Sequence, residues 1–153
     1  MTAGPTPLNA GEPVSLAGDG GTVTLVEGST FCLSDQLGDI VPGGSHGLFF
    51  RDARLLSRWR LRLDSHSPHP LSVLTTDPFA ARFVLRRTPN AGHADSTLLV
   101  VRERLVADGL RETVTLENLG REDSAVTVTL EVDADFADLF AVKEGRASSA
   151  GPP

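Results

Sequence analysis

Asp133, Asp135 and Asp138 are the densest group of carboxylates in the chain. Two carboxylates at a fixed separation can act as acid and base on a glycosidic bond, and a cluster of them can hold a cation. A calcium loop also needs a glycine and a distal glutamate at set positions, and both are missing here. The spacing fits turn and cap chemistry at the end of a strand. Gly43-Gly44-Ser45-His46-Gly47 matches the nucleophile pattern G-x-S-x-G. That pattern works only between a strand and a helix, where the serine is forced into exposure. Here Pro42 precedes it and the extended run Leu48-Phe49-Phe50 follows, so it reads as a loop. Gly18-Asp19-Gly20-Gly21 lacks the lysine and the helix of a phosphate loop and reads as a turn.

The histidines are His46, His66, His69 and His93. His66 and His69 have a spacing that chelates metal on a helix, but Pro68 and Pro70 forbid a helix there. No metal or cofactor is expected. Arg51, Asp52 and Arg54 offer two guanidiniums around one carboxylate. Such a set can close into a bidentate knot that pins a strand end or locks an interface. Sugar recognition favours exposed flat rings, yet the chain has no Tyr and a single Trp. Trp59 is in phase with Leu55, Leu61 and Leu63, which places it in a core.

The elements that would carry these residues are short strands. Val126, Val128, Leu130 and Val132 alternate with Thr127, Thr129, Glu131 and Asp133, a period of two that gives a strand one apolar face. Leu110, Val114 and Leu116 alternate likewise with Arg111, Thr113, Thr115 and Glu117. Residues 98–106 are more continuously apolar, which suits a buried strand. Asp108-Gly109 marks a tight hairpin, and the stretch 118–123 with Gly120 marks a second turn. The expectation is a three-stranded antiparallel meander over 98–133. Leu55, Ser57, Trp59, Leu61 and Leu63 alternate with Leu56, Arg58, Arg60 and Arg62. This predicts one strand of about ten residues whose arginines face water or a partner. Further strands are expected at 22–27, 30–34, 47–50, 71–76 and 80–86, and one short helical turn within 134–141. Regularly spaced short strands without a long helix predict an all-β antiparallel β-sandwich.

Length and charge narrow the function classes. The 153 residues suit one domain, and no apolar run approaches the roughly 18 residues that cross a bilayer. The start has no basic or apolar leader region, and Cys32 stands alone, which excludes an internal disulfide framework. The expected compartment is the cytoplasm, with no membrane partner. The net charge is −6, yet residues 51–104 hold ten bases and five acids. An acidic chain lacks the domain-scale basic field that nucleic acid requires. Residues 1–13 and 147–153 read as mobile tails around a domain spanning 14–146.

Three stretches, in their order and spacing, carry a resemblance: GLFFRDARLLSRWRLRLD at 47–64, LLVVRERLVADGLRETVTLEN at 98–118 and VTVTLEVDADFADLFAVKEGR at 126–146. Together they resemble the N-terminal domain of bacterial glycogen debranching enzymes of the amylo-α-1,6-glucosidase type. Members of that family commonly have Thr where Ala53 stands and Tyr where Phe50 stands, while the Arg-Asp-Arg frame is kept. The resemblance implies a supersandwich-like β-sandwich ahead of a helical (α/α)6 toroid that bears the catalytic carboxylates. No carboxylate of this chain then inherits a catalytic role, and the chain is expected to be a fragment whose sandwich is incomplete. An incomplete sandwich leaves an unpaired edge. Arg58, Arg60 and Arg62, with Arg51, Asp52 and Arg54, are the expected interface to the toroid. The alternatives are a free-standing module that binds α-glucan, and a small hydrolase acting through Asp133, Asp135 or Asp138.

Overall fold

Alternating side chains between tight turns leave this chain few choices other than paired strands. A computed structural model describes residues 13–14, 21–89 and 97–145. In chain order the strands are β1 (Pro13–Val14), β2 (Val23–Glu27), β3 (Thr30–Ser34), β4 (Gly47–Phe50), β5 (Ala53–Leu56), β6 (Arg58–Leu63), β7 (His69–Asp77), β8 (Ala80–Arg86), β9 (Leu98–Val106), β10 (Leu110–Asn118) and β11 (Val128–Asp133), followed by the short helix α1 (Leu139–Lys143). The strands expected at 22–27, 30–34, 47–50, 71–76 and 80–86 are all present, and α1 overlaps the helical turn expected within 134–141 at residues 139–141. Of the segments read as tails, 1–13 and 147–153, all but Pro13 lie outside the described residues. Pro13 is paired in β1, opposite Leu74.

One layer is the antiparallel sheet β1-β7-β8-β9-β10. The other combines the sheet β2-β3-β4-β5 with the ribbon β6-β11. Ser57 alone separates β5 from β6, and its N–H donates to the Asp133 carbonyl at 2.9 Å. The N–H groups of Arg54 and Leu139 bond the carbonyls of Ala137 and Asp52 at 2.8 and 2.7 Å. Residues 133–139 thus run beside β5 and extend the ribbon along the sheet. Ile40 is bridged to Trp59 on the other side of β6. The core lies between the layers. Val73, Phe83, Leu85, Val100 and Val106 come from the first, and Leu25, Cys32, Leu48, Leu61 and Leu63 from the second. This is the expected all-β sandwich.

Two expectations about strand order need correction. The stretch 98–133 is not a three-stranded meander: β9 and β10 form the hairpin, but β11 crosses to the other layer and pairs with β6. Alternation fixes a strand's faces and not its partner. After Asn118 the connection to β11 is nine residues long, enough to change layers. The strand expected through 55–63 is also interrupted, at Ser57, so that only β6 pairs with β11. Trp59 packs against the core although it is only partly buried.

The pairing of Leu61 with Leu130 gives a direct test of the layering. Leu61 is 1% exposed and Leu130 is 44% exposed on the same face of the ribbon. Denaturant unfolding should show Leu61→Ala costing about 2–5 kcal/mol and Leu130→Ala about 1 kcal/mol or less. Equal losses would contradict the arrangement.

Candidate functional site

Five residues on β9 point into the core by alternation: Leu98, Val100, Arg102, Arg104 and Val106. Two of the five are arginines, and Arg102 is wholly buried. A buried guanidinium must have counter-charge and acceptors. Arg102 Nε donates to Glu112 Oε1 at 3.0 Å, and its Nη1 donates to Asp39 Oδ1 at 2.6 Å and the Leu37 carbonyl at 2.7 Å. Arg104 forks onto Glu112 Oε2 through Nε at 2.8 Å and Nη2 at 2.5 Å, and also bonds the Gly38 carbonyl. The Phe83 ring lies 5.2 Å from the Arg104 guanidinium, a cation–π contact. Trp59 Nε1 completes the set by donating to Glu112 Oε1 at 3.1 Å.

The loop 35–39 is shaped to meet these arginines. Asp35 Oδ1 accepts the N–H groups of Leu37 and Asp39 at 2.9 and 2.8 Å, which turns the carbonyls of Leu37 and Gly38 inward. Gly38 has φ +82, and a Cβ there would stand 3.0 Å from the Phe83 ring and 3.2 Å from the Arg102 guanidinium. No other residue type meets both conditions without strain.

The local electrostatics follow from this packing. Burial pushes the Glu112 carboxyl up, but Arg104, Arg102 and their hydrogen bonds outweigh it and hold its pKa below the ordinary value. At Asp39 burial wins over Arg102, so its pKa is raised. Burial likewise raises the Cys32 thiol against the pull of Arg104. A buried, protonated thiol is a packing group and a poor nucleophile.

A third buried arginine, Arg54, organises the edge of the layer formed by β2–β5 and the β6-β11 ribbon. Arg54 is buried, and its Nε bonds both Asp135 oxygens at 3.1 Å while Nη2 bonds Asp135 Oδ2. Its Nη1 donates to the carbonyls of Gly44 and His46 at 3.1 and 3.2 Å. Gly47 makes room for it: a Cβ there would lie 2.5 Å from Arg54 Cδ. The expected Arg51-Asp52-Arg54 knot is therefore not formed, because the carboxylate on Arg54 is Asp135 from the distant segment after β11. Arg51 instead lies over the Phe50 ring at 5.1 Å, and the Asp52 carbonyl holds α1 through Leu139. Burial pushes Asp135 up, but the Arg54 bonds overcome it and leave the pKa lowered.

The arginine row on β6 is matched by acids on β11. Arg58 pairs with Asp133 at 3.1 Å and Arg62 with Glu131 at 3.4 Å, while Arg60 stands opposite Glu131 in register. Asp138 caps α1 by accepting from Phe140 N at 2.9 Å. All three aspartates of the acidic cluster are thus engaged in strand pairing, a clamp and a helix cap.

The family model for the N-terminal domain of (some) glycogen debranching enzymes matches residues 25–152. The chain belongs to this family. No curated protein matches it.

In this debranching-enzyme N-terminal domain, Arg54, Arg102 and Arg104 are each paired with a carboxylate inside the fold. Among the described residues no group of three His, Cys, Asp or Glu could hold a metal ion. His46 Nδ1 accepts from Val41 N at 3.3 Å within the loop that carries the G-x-S-x-G pattern, and β4 follows that loop where a nucleophile elbow needs a helix. His66 Nδ1 lies 2.7 Å from the Asp64 carbonyl in a turn, and His93 lies outside the described residues. An open groove of about 390 Å³ on the outer face of the β1-β7-β8-β9-β10 sheet is lined by Arg82, Glu103, Arg111 and Thr113 among others, with Arg82 and Glu103 3.8 Å apart. No helix among the described residues is long and apolar enough to cross a membrane. Sequence reasoning missed Asp39, Arg102, Arg104 and Glu112. The signal was present: Arg102 and Arg104 are in phase with Val100 and Val106, and Glu112 with Leu110 and Val114.

Glu112→Gln removes one negative charge from between two buried guanidiniums, and should destabilise the domain by about 3–5 kcal/mol at pH 7. The pH dependence has a defined sign. Because the folded Glu112 pKa is lowered, its contribution is present above the ordinary value of 4.5 and is lost as pH falls. Asp39, with a raised pKa, works in the opposite sense. Thermal unfolding from pH 7 to pH 3 should therefore show a shallower acid decline in Glu112→Gln than in the parent. An unchanged slope would contradict the assignment. Gly47→Ala should destabilise through the Arg54 collision by more than 1 kcal/mol, an estimate resting on typical overpacking costs.

Proposed function

We propose that this domain is the non-catalytic N-terminal β-sandwich of a debranching-type glycoside hydrolase of the amylo-α-1,6-glucosidase kind, acting in the cytoplasm. In this reading it supports, orients or covers a helical-toroid catalytic domain that belongs to the same polypeptide in full-length relatives. The observation that carries it is the engagement of Asp133, Asp135 and Asp138 by Arg58, Arg54 and the α1 N-terminus, which leaves no free carboxylate pair in the cluster best placed for glycoside chemistry.

The docking face is the outer side of the β6-β11 ribbon with the Arg51–Asp52 turn beside it. Its arginines are already paired within the domain, so their role at the interface is positional: each ion pair fixes a guanidinium that can still donate to a partner acceptor. The Arg58 and Arg62 side chains keep 37% and 25% of their surface exposed for such a contact.

A glucan-binding module is the second reading, and one observation favours it. Phe136 and Phe140 are 70% and 61% exposed on the segment clamped by Arg54, where flat rings could meet a sugar face.

The test exchanges charges within the ribbon of a full-length relative: Arg58→Glu with Asp133→Arg, and Arg62→Glu with Glu131→Arg. The internal pairs survive with reversed polarity, and only a partner that reads the positions of the arginines is disturbed. Domain association should weaken and Tm should fall. Unchanged association and Tm would overturn the docking reading. The chain alone should release no glucose from a branched dextrin, and its retention on glycogen, lost on Phe136→Ala with Phe140→Ala, would favour the module instead.

A further inference from the structure

We propose that the cleft at one end of the sandwich, between the β3-β4 pair and the tip of the β9-β10 hairpin, binds one neutral sugar ring. Thr30, Phe50, Leu55, Asp108 and Gly109 line it. The site is separate from the arginine face and from the Phe136 and Phe140 rings, and it depends on neither reading above.

Strand register places the cleft. Cys32 on β3 pairs with Leu48 on β4, and both belong to the core between the layers. Thr30 and Phe50, each two residues away from that pair, are also opposite each other, so they share the inward face. The facing wall is the Asp108-Gly109 turn, which joins two strands of the other layer. The space between the layers therefore opens here, past the last core pair. Thr30 is 3% exposed at its inner end, and Phe50 is 42% exposed.

Size and lining select the occupant. The cleft holds about 210 Å³, below the roughly 300–1,000 Å³ of sites for drug-sized ligands, so one small ring fills it. An anion is repelled by the Asp108 carboxylate, which has no ion pair among the described residues. A cation is disfavoured because the Arg51 guanidinium already lies 5.1 Å from the Phe50 ring centroid. The Thr30 hydroxyl has no hydrogen-bond partner among the described residues. A wholly apolar ligand would strip water from this hydroxyl and from Asp108 without replacing it. A compact neutral ring with an apolar face and several hydroxyls satisfies every wall, and that is the chemistry of a pyranose.

Each wall then has one task. The flat Phe50 ring packs on the C–H face of the sugar. The two Asp108 oxygens accept from two adjacent hydroxyls, a pair of charge-assisted bonds. The Thr30 hydroxyl bonds a third. The feature read is a vicinal diol, which no segment of polypeptide can offer.

The experiment titrates the isotope-labelled 153-residue chain with methyl α-glucoside and follows its amide chemical shifts. Tetrahydropyran-2-methanol, the same ring without vicinal hydroxyls, is the control. The site predicts saturable shifts centred on Thr30, Phe50, Asp108 and Gly109 that the control does not produce. Asp108→Asn keeps a residue pair suited to the tight turn and should weaken binding about tenfold or more. Phe50→Ala should weaken it comparably, while Phe50→Tyr keeps the flat ring and the affinity. Circular dichroism establishes that each variant is folded. No saturable shift at the solubility limit, an equal response to the control, or binding untouched by both Asp108→Asn and Phe50→Ala would each overturn the proposal. So would shifts confined to Phe136 and Phe140, which would assign the sugar to those rings. A full-length relative with the same lining residues should bind as well; its failure to do so would give the cleft to the rest of the polypeptide and overturn the proposal too.

Discussion

Two guanidiniums in the middle of an apolar core impose the constraint on which this sandwich depends. Arg102 and Arg104 leave water only if the other groups around them arrive in register. Glu112 comes from the neighbouring strand, Asp39 and two carbonyls from the 35–39 loop, and Trp59 from the opposite layer. Apolar contacts between two sheets tolerate sliding, but the directed bonds that cross between them, from Arg102 to Asp39, from Arg104 to the Gly38 carbonyl and from Trp59 to Glu112, do not. The buried charges therefore fix how the layers face each other, while Val100, Phe83, Leu61 and the rest of the apolar core supply the buried apolar area. The Arg54–Asp135 clamp repeats the device at the edge, holding the chain after β11 against β5.

The sequence revealed one level of this organisation and concealed another. Alternation located the strands and their faces, because a half-buried strand has to alternate. It could not show that β11 joins β6, since Val128, Leu130 and Val132 would look the same beside either neighbour. Arg102 and Arg104 were hidden by a sound rule, that arginine is seldom buried. The exception became legible only with Glu112 in phase on the next strand. Arg54 was singled out correctly but given the wrong carboxylate. Asp52 is two residues away and Asp135 is 81 away, and no local pattern reaches that far.

Membership in the debranching-enzyme N-terminal family accords with how the charged groups are used. Charges in a catalytic centre are left partly unsatisfied and open to substrate. Here the network around Glu112 is enclosed, with Arg102 Nη2 its one guanidinium nitrogen left without a hydrogen bond among the described residues, and the acidic cluster at the end of β11 is tied to its neighbours. The surface is less complete than the interior. Apolar side chains remain uncovered along β10 and β11, and aromatic rings stand out beyond the Arg54 clamp. The charges thus hold a rigid centre, while apolar side chains at the edges of the sandwich stay open.

A double-mutant cycle on Arg104 and Glu112 tests the central claim most directly. Arg104→Met and Glu112→Leu are made singly and together, and the unfolding free energy of each is measured in denaturant. If the buried charges are held in the core only by compensating one another, each single change leaves an uncompensated charge and is strongly destabilising, while the double variant recovers a large part of the loss. Additive losses with no coupling between the two sites would contradict the account.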